Sequence, residues 1–321
     1  MMWRPDRTVR GPERATPADI DGLNRLFSDA FTERYRRDGL AGVRVPFLNP
    51  SIWQYAIEDA DDGALIWRDG RGDLIAFTMV HRSGSEGWMG PLAVRPDRQG
   101  QGLGRQVVRA GVEWLQAAGV RTIGLETMPR TIENIGFYAG LGFLPGPLTI
   151  TLQRRDLRRR GPLTSRFGES DSTRRTAILE ECRDLTMAVA PGVDFSRELL
   201  LTLSLRLGDA TLLRDAAGRV RAFALWHTAP LAQGRAPEEL RVLKLVAGDL
   251  ASAMELLAAV EREAAALGLG VIAVRCQGAQ RELFAALVAE EYRVHWTDLR
   301  LTYAGHDEVP ANGVLLSNWE I

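Results

Sequence analysis

Gly90-Pro91-Leu92-Ala93-Val94-Arg95-Pro96-Asp97-Arg98-Gln99-Gly100-Gln101-Gly102-Leu103-Gly104-Arg105-Gln106-Val107-Val108 is the stretch on which the fold turns. Leu92, Ala93 and Val94 end a short apolar run bounded by Gly90, Pro91 and Pro96, the pattern of a buried strand stopping at a loop. Beyond the glycines, Val107, Val108, Gly111, Leu115 and Ala118 recur at helical spacing, with Arg105, Arg109, Glu113 and Gln116 on the other face. The turn therefore opens a helix. First-turn N–H groups have no partners within a helix and lie at the positive end of its dipole, so such a turn can hold a diphosphate without a lysine. Gly102 and Gly104 let a ligand approach the backbone closely.

A glycine-rich turn also serves as a plain connector from strand to helix, so its context matters. No Gly-Lys-Ser/Thr closes it, which excludes the nucleotide-binding P-loop, and the hairpin-like strands before it do not suit a Rossmann unit. Downstream lies Asn134-Ile135-Gly136-Phe137-Tyr138-Ala139-Gly140-Leu141-Gly142-Phe143. Together the two segments resemble the GNAT superfamily of acyl-CoA-dependent N-acyltransferases: Gln99, Gly102 and Gly104 match its Gln/Arg-x-x-Gly-x-Gly/Ala turn. Asn134, Tyr138 and the pair Gly142-Phe143 match its second motif.

The resemblance implies an α/β (α+β) fold, with a mixed, mostly antiparallel central sheet flanked by helices. It implies acetyl-CoA as cosubstrate and no metal. The backbone amides of Gln99, Gly100, Gln101, Gly102, Leu103 and Gly104 would bind the pyrophosphate. Leu92, Ala93 and Val94 would run beside the pantetheine arm, Asn134 would contact CoA, and Tyr138 would face its sulfur. Pro91, which lacks an N–H, fits where the family's fourth strand bulges and splays.

Amide formation from a thioester needs a neutral amine and a proton for the departing thiolate. An alkyl amine has a pKa of about 10, so a carboxylate should help remove its proton, directly or through water. Glu126, ending the apolar strand Arg121 to Thr127, is the leading candidate and Glu86 the runner-up; a structural hydrogen bond is the alternative for either. A tyrosine phenol stays protonated at neutral pH and can donate to the thiolate, the role the resemblance gives Tyr138 over plain core packing.

The chain repeats itself. Placed without gaps, Ala64–His81 and Ala210–His227 share Arg68/Arg214, Asp69/Asp215, Gly72/Gly218, Phe77/Phe223 and His81/His227 among other identities, and both read strand, turn, strand. An offset of 149 then aligns Gly119 with Gly268, Ile123 with Ile272 and Phe143 with Tyr292. A duplicated domain is predicted, as 1–155, a linker at 156–172, and 173–321. In the second copy the turn becomes Gly248-Asp249-Leu250-Ala251-Ser252-Ala253, Leu283 and Leu287 replace Asn134 and Tyr138, and Arg275 replaces Glu126. That copy reads as a degenerate scaffold for packing, dimerisation or closing the acceptor pocket.

At 321 residues, 45% hydrophobic and with net charge −1, the chain suits two globular domains and gives no electrostatic case for nucleic acid. No apolar run is long enough to span a membrane, and Met1-Met2-Trp3-Arg4-Pro5 opens no signal-like stretch, so a cytoplasmic location is expected. Cys182 and Cys276 are too few for a disulfide framework or zinc site. His81 and His227 occupy equivalent strand ends, best explained by structure. The cluster from Arg154 to Arg160 reads as solvated linker. Asp19–Arg37 and Ser51–Asp59 are predicted helices, and Tyr35, Phe47, Trp53 and Tyr55 are candidates for the acceptor wall or, for at least half of them, the core. The expected function is transfer of an acetyl or short acyl group from CoA to a primary amine, most readily a small molecule, by a monomer or homodimer. The alternative is a non-catalytic acyl-CoA-binding or interaction protein.

Overall fold

The computed structural model describes residues 8–158, 161–162 and 164–319; Arg159 and Arg160 of the arginine cluster and Met1–Pro5 lie outside them. The first half runs β1 (Arg10–Arg14), α1 (Ile20–Arg37), α2 (Pro50–Ala60), β2 (Ala64–Arg68), β3 (Leu74–Ser83), β4 (Glu86–Val94), α3 (Leu103–Ala117), β5 (Thr122–Thr127), α4 (Ile132–Ala139) and β6 (Phe143–Arg154). The second repeats that order: β7 (Ser165–Arg166), α5 (Ser172–Val189), α6 (Ser196–Ser204), β8 (Gly208–Arg214), β9 (Val220–His227), β10 (Glu239–Ala247), α7 (Leu250–Ala266), β11 (Val271–Gln277), α8 (Arg281–Ala289) and β12 (Arg293–Tyr303), followed by β13 (Val314–Ser317).

Local chemistry explains the boundaries. Asp19 Oδ2 accepts from the Thr16 N–H at 2.9 Å, and Pro17 opens the short 3₁₀ turn that leads into α1. Asn49 Oδ1 accepts from the Ser51 N–H and Pro50 begins α2. The residues shared by the two hairpins are those that build the turn. Asp69 Oδ1 accepts from the N–H groups of Arg71 and Asp73, and Asp215 Oδ1 from those of Ala217 and Arg219. Arg68 donates to the Gly72 carbonyl as Arg214 does to that of Gly218.

The halves are joined by an exchange of strands. Among the described residues the sheet order is β1-β2-β3-β4-β5-β12-β6-β11-β10-β9-β8-β7, with β13 also paired to β10. Thus β12 of the second half lies between β5 and β6 of the first, and β6 lies between β11 and β12. Arg300 faces Glu126 across β12/β5 and Thr151 faces Arg275 across β6/β11, the same register once 149 is subtracted. Thr149 and Asp298, themselves equivalent positions, are partners across β6/β12, so a local twofold axis passes between them. The cores are shared accordingly. Leu301 packs with Val108, Leu115, Ile123 and Leu125 of the first half, whereas Leu152 packs with Leu256, Val260 and Ile272 of the second. Each is fully buried, contributing about 2 kcal/mol to a half other than the one encoding it.

The sequence register misplaced the second glycine-like turn. Eight residues, 95–102, separate β4 from α3, but only Gly248 and Asp249 separate β10 from α7. The cradle is missing there because its loop is short, not only because its glycines are replaced.

Candidate active site

The site begins where two parallel strands part. β4 pairs with β5 only over Glu86–Met89 against Thr122–Leu125. A bulge at Gly90-Pro91 shifts the register against β3, and Leu92, Ala93 and Val94 then pair with β3 alone. Their other edge has no strand partner among the described residues. The equivalent opening in the second half is filled, because β10 leaves β11 after Val242 and its Lys244–Ala247 segment pairs with β13.

At the end of that edge, Gly100 and Gly102 have φ of +73° and +86°, a left-handed region that favours glycine, and a Cβ on either would meet nothing within 4 Å. The turn is open above its backbone. Gln99 Nε2 ties it to β4 by donating to the Val94 carbonyl at 3.0 Å, and Gln101 Nε2 donates to that of Asp97. α3 starts at Leu103 with Gly102 as its cap and no side chain on its first N–H groups. α7 instead caps itself, Asp249 Oδ1 accepting from the Ser252 N–H at 2.7 Å. A Cβ on Gly104 would make ordinary van der Waals contact with the Phe137 ring, at 3.4 Å, where α3 passes α4.

α4 carries Tyr138, buried, with its ring edge-on to Phe137 and Phe143. Its hydroxyl has no hydrogen-bond partner among the described residues, and burial pushes the phenol above its ordinary pKa, so it is protonated at neutral pH. Asn134 Nδ2 donates to Thr127 Oγ1 at 3.4 Å, at the end of β5. Thr131 and Glu133 fix the start of α4 to α1 through Asp38 and Arg34.

Glu126 points to the other face of the sheet from the core that holds Tyr138. It accepts from Thr149 Oγ1 at 2.5 Å and from Arg275, and Arg300 Nε lies 3.7 Å away. Burial works to raise its pKa, but the charges of Arg275 and Arg300 and these hydrogen bonds override it, leaving the carboxyl below the ordinary glutamate value. Glu86 is engaged too, accepting from Trp88 Nε1 and Ser317 Oγ, each at 2.8 Å. A third carboxylate escaped the sequence reading. Asp298, on β12, accepts from Trp296 Nε1 and from Arg275 Nη2, each at 3.1 Å. Burial, aided by the charge of Glu126 and opposed by Arg275, raises its pKa. Its only sequence signal was the 149-residue offset that makes it the counterpart of Thr149.

His81 is structural, as expected. Its Nδ1 meets Asp59 Oδ2 at 2.6 Å and its Nε2 donates to the Gly90 carbonyl at 3.0 Å, which holds the bulge; His227 Nε2 pairs with Thr202 Oγ1. Of the aromatic candidates, Trp53 and Tyr55 are core, while Tyr35 and Phe47 reach the surface. Arg130 lies over the Tyr35 ring, and the Phe47–Asn49 loop hydrogen-bonds to Leu231 and Gln233 of the second half. Among the described residues no cluster of His, Cys, Asp and Glu could hold a metal, and no helix is long and apolar enough to cross a membrane.

Comparisons agree with this geometry. Residues 21–143 match the family model described as acetyltransferase (GNAT) family. The [ribosomal protein bS18]-alanine N-acetyltransferases of Escherichia coli (strain K12) and Shigella flexneri are each 35% identical over 72 residues, 22% of this chain and 49% of theirs, so the chain spans about half the length of these curated relatives. Among solved structures, a putative acetyltransferase from Pyrococcus horikoshii aligns with a TM-score of 0.66 at 17% identity, over 99% of this chain and 96% of that one. A tandem GNAT protein from the clavulanic acid biosynthesis pathway aligns at 0.61 and 12% identity, over 94% and 100%. Saccharomyces cerevisiae N-myristoyltransferase with bound myristoyl-CoA aligns at 0.65 and 9%, over 97% and 85%. These likenesses establish the fold along the whole chain.

Proposed function

We propose that this protein, whose residues 21–143 match the acetyltransferase (GNAT) family model, moves an acetyl group from acetyl-CoA to a primary amine by direct attack in a ternary complex, with the site in the first half. The observation that carries this reading is the free edge of β4 past Met89, an opening of the kind that β13 fills in the second half. An extended pantetheine arm can lie along Leu92, Ala93 and Val94 much as β13 lies along β10. Its pyrophosphate reaches the uncapped first turn of α3, over Gln99 to Gly104. Asn134 then borders the arm, and Tyr138 protonates the leaving sulfur. Glu126, its carboxylate held by Arg275, contributes negative charge near the amine and can relay a proton only through water.

The division at 155 and 172 marks a change of role: cofactor binding before it, and support of the site through β12 after it. A small-molecule amine in the cytoplasm is the preferred acceptor, with a peptide amino terminus second, because the bS18 relatives are named for an alanine acceptor. The engaged state of Glu126 and Glu86 favours one competing reading, a protein that binds acyl-CoA without turnover.

Calorimetric titration of acetyl-CoA tests the proposal, with Gly102→Asp as the paired variant. One site per chain is expected, weakened at least a hundredfold by a carboxylate that both repels the diphosphate and caps α3 as Asp249 caps α7. Equal affinity in the two proteins removes the cradle from this turn.

A further inference from the structure

Resting on that reading, we propose that Asp298, supplied by the second half on the exchanged strand β12, is the group that takes the proton from the acceptor amine in the first half's site. Leu299 is paired with Thr127, the last residue of β5, so Asp298 stands one residue past the carboxyl end of β5, on the strand that flanks β5 on the side away from β4 and one strand from the opening where β4 and β5 part. It shares a sheet face with Arg300, the partner of Glu126, and so with Glu126 itself. Its side chain keeps 17% of its surface exposed, so an amine can reach it.

The surroundings divide labour between the two carboxylates. Glu126 is occupied by Thr149, Arg275 and Arg300, which together hold it ionised. Asp298 has one hydrogen bond to each oxygen, from Trp296 and Arg275, and each oxygen keeps a further lone pair. The titratable and charged groups facing it are Arg275 on β11, Glu126 on β5 and Tyr35 on α1, with Arg130 lying over Tyr35. Burial displaces Asp298 upward while Glu126 is displaced downward, a separation that assigns acid–base work to the former. An ammonium group entering between Tyr35 and Asp298 has three N–H protons and the amide product keeps one. Asp298 takes one before attack and passes it to solvent. As the C–N bond forms and the C–S bond breaks, Tyr138 protonates the departing sulfur and is reprotonated, through solvent, by the proton lost from the new amide nitrogen. Thioester and ammonium thus become amide, CoA thiol and one released proton.

The test follows CoA thiol release from acetyl-CoA by wild type, Asp298→Asn, Asp298→Glu and Glu126→Gln, from pH 6 to 10, with acetyl-CoA affinity measured for each. The acceptors are ethanolamine, spermidine, an alanine-headed peptide, and hydroxylamine, which is already unprotonated at neutral pH. Asp298→Asn is expected to lose about a hundredfold in kcat/KM for the alkyl amines at pH 7, to recover as the pH rises toward the amine's own pKa, to lose little with hydroxylamine, and to bind acetyl-CoA as wild type does. Asp298→Glu should restore part of the loss. Two results overturn the assignment alone: Asp298→Asn within twofold of wild type on alkyl amines, or an equal loss with hydroxylamine, which is the mark of a structural role. A larger, pH-rescued loss in Glu126→Gln hands the role to Glu126. Wild type that binds acetyl-CoA yet acetylates none of the four acceptors overturns both this assignment and the transferase reading.

Discussion

Glu126 and Arg275 occupy equivalent positions in the two halves, 149 residues apart, and form an ion pair with one another. The exchange of β6 and β12 brings the equivalent positions of β5 and β11 to opposite sides of the same strand pair, so a glutamate at both would place two carboxylates in one partly buried site. Arginine at 275 resolves that conflict and also reaches Asp298 at 3.1 Å. Arginine at the second-copy position thus serves as the counter-charge to both carboxylates.

This pairing predicts energetic coupling. Arg275→Met leaves Glu126 and Asp298 close together with Arg300, 3.7 Å from Glu126, as the remaining cation, and should cost about 2 kcal/mol, less than a fully buried pair because both members of the Glu126–Arg275 pair are about a fifth exposed. Glu126→Gln alone should cost less, since Arg275 retains Asp298. In urea unfolding the double variant should lie nearer to wild type than the sum of the singles by about 1 kcal/mol. Strict additivity would show that the contact contributes nothing.

Tyr138→Phe should lower turnover about a hundredfold with acetyl-CoA affinity unchanged within twofold. The hydroxyl has no hydrogen-bond partner among the described residues, so its removal breaks no protein contact and the ring still packs on Phe137 and Phe143. A melting temperature near that of wild type, measured alongside activity, separates the two effects. Normal turnover in this variant excludes Tyr138 as the acid.

Much of this was legible in the sequence, for identifiable reasons. The hairpin identities Arg68-Asp69 and Arg214-Asp215 mark a turn whose hydrogen bonds are local, so residue identity alone reports it. The loop that opens α3 was legible because its positive-φ positions, Gly100 and Gly102, favour glycine. The exchange of β6 and β12 left no trace, because each strand meets an equivalent partner in the same register and its apolar pattern is the same whichever half it joins. Asp298 was hidden for the same reason: it joins the first half's site only after the exchange.

The filled opening in the second half predicts a stoichiometry and a stability. Leu316 on β13 is fully buried against the β10 side of that core, so Leu316→Ala should cost about 3 kcal/mol. Acetyl-CoA binding should remain at one per chain in this variant, since α7 is still capped by Asp249 and lacks the longer loop. A second calorimetric site appearing on Leu316→Ala would show that β13 alone keeps CoA out of the second half.

The strand exchange makes a stronger demand on folding. Residues 1–158 expressed alone would leave β5 with a bare edge and lose Leu301 from the core around Ile123 and Leu125, a cavity costing about 3 kcal/mol before any lost pairing. β6 would project without β11 and β12, carrying Leu152 into water. An unprotected hydrophobic edge of this kind drives association between chains. The fragment is expected to aggregate, or to pair with itself by swapping β6 into its copy. Co-expression with 159–321 should restore a soluble one-to-one complex with acetyl-CoA affinity near that of the intact protein. Size-exclusion chromatography with light scattering distinguishes these outcomes, and a soluble, monomeric, CoA-binding 1–158 fragment would mean that β12 is dispensable to the site it borders.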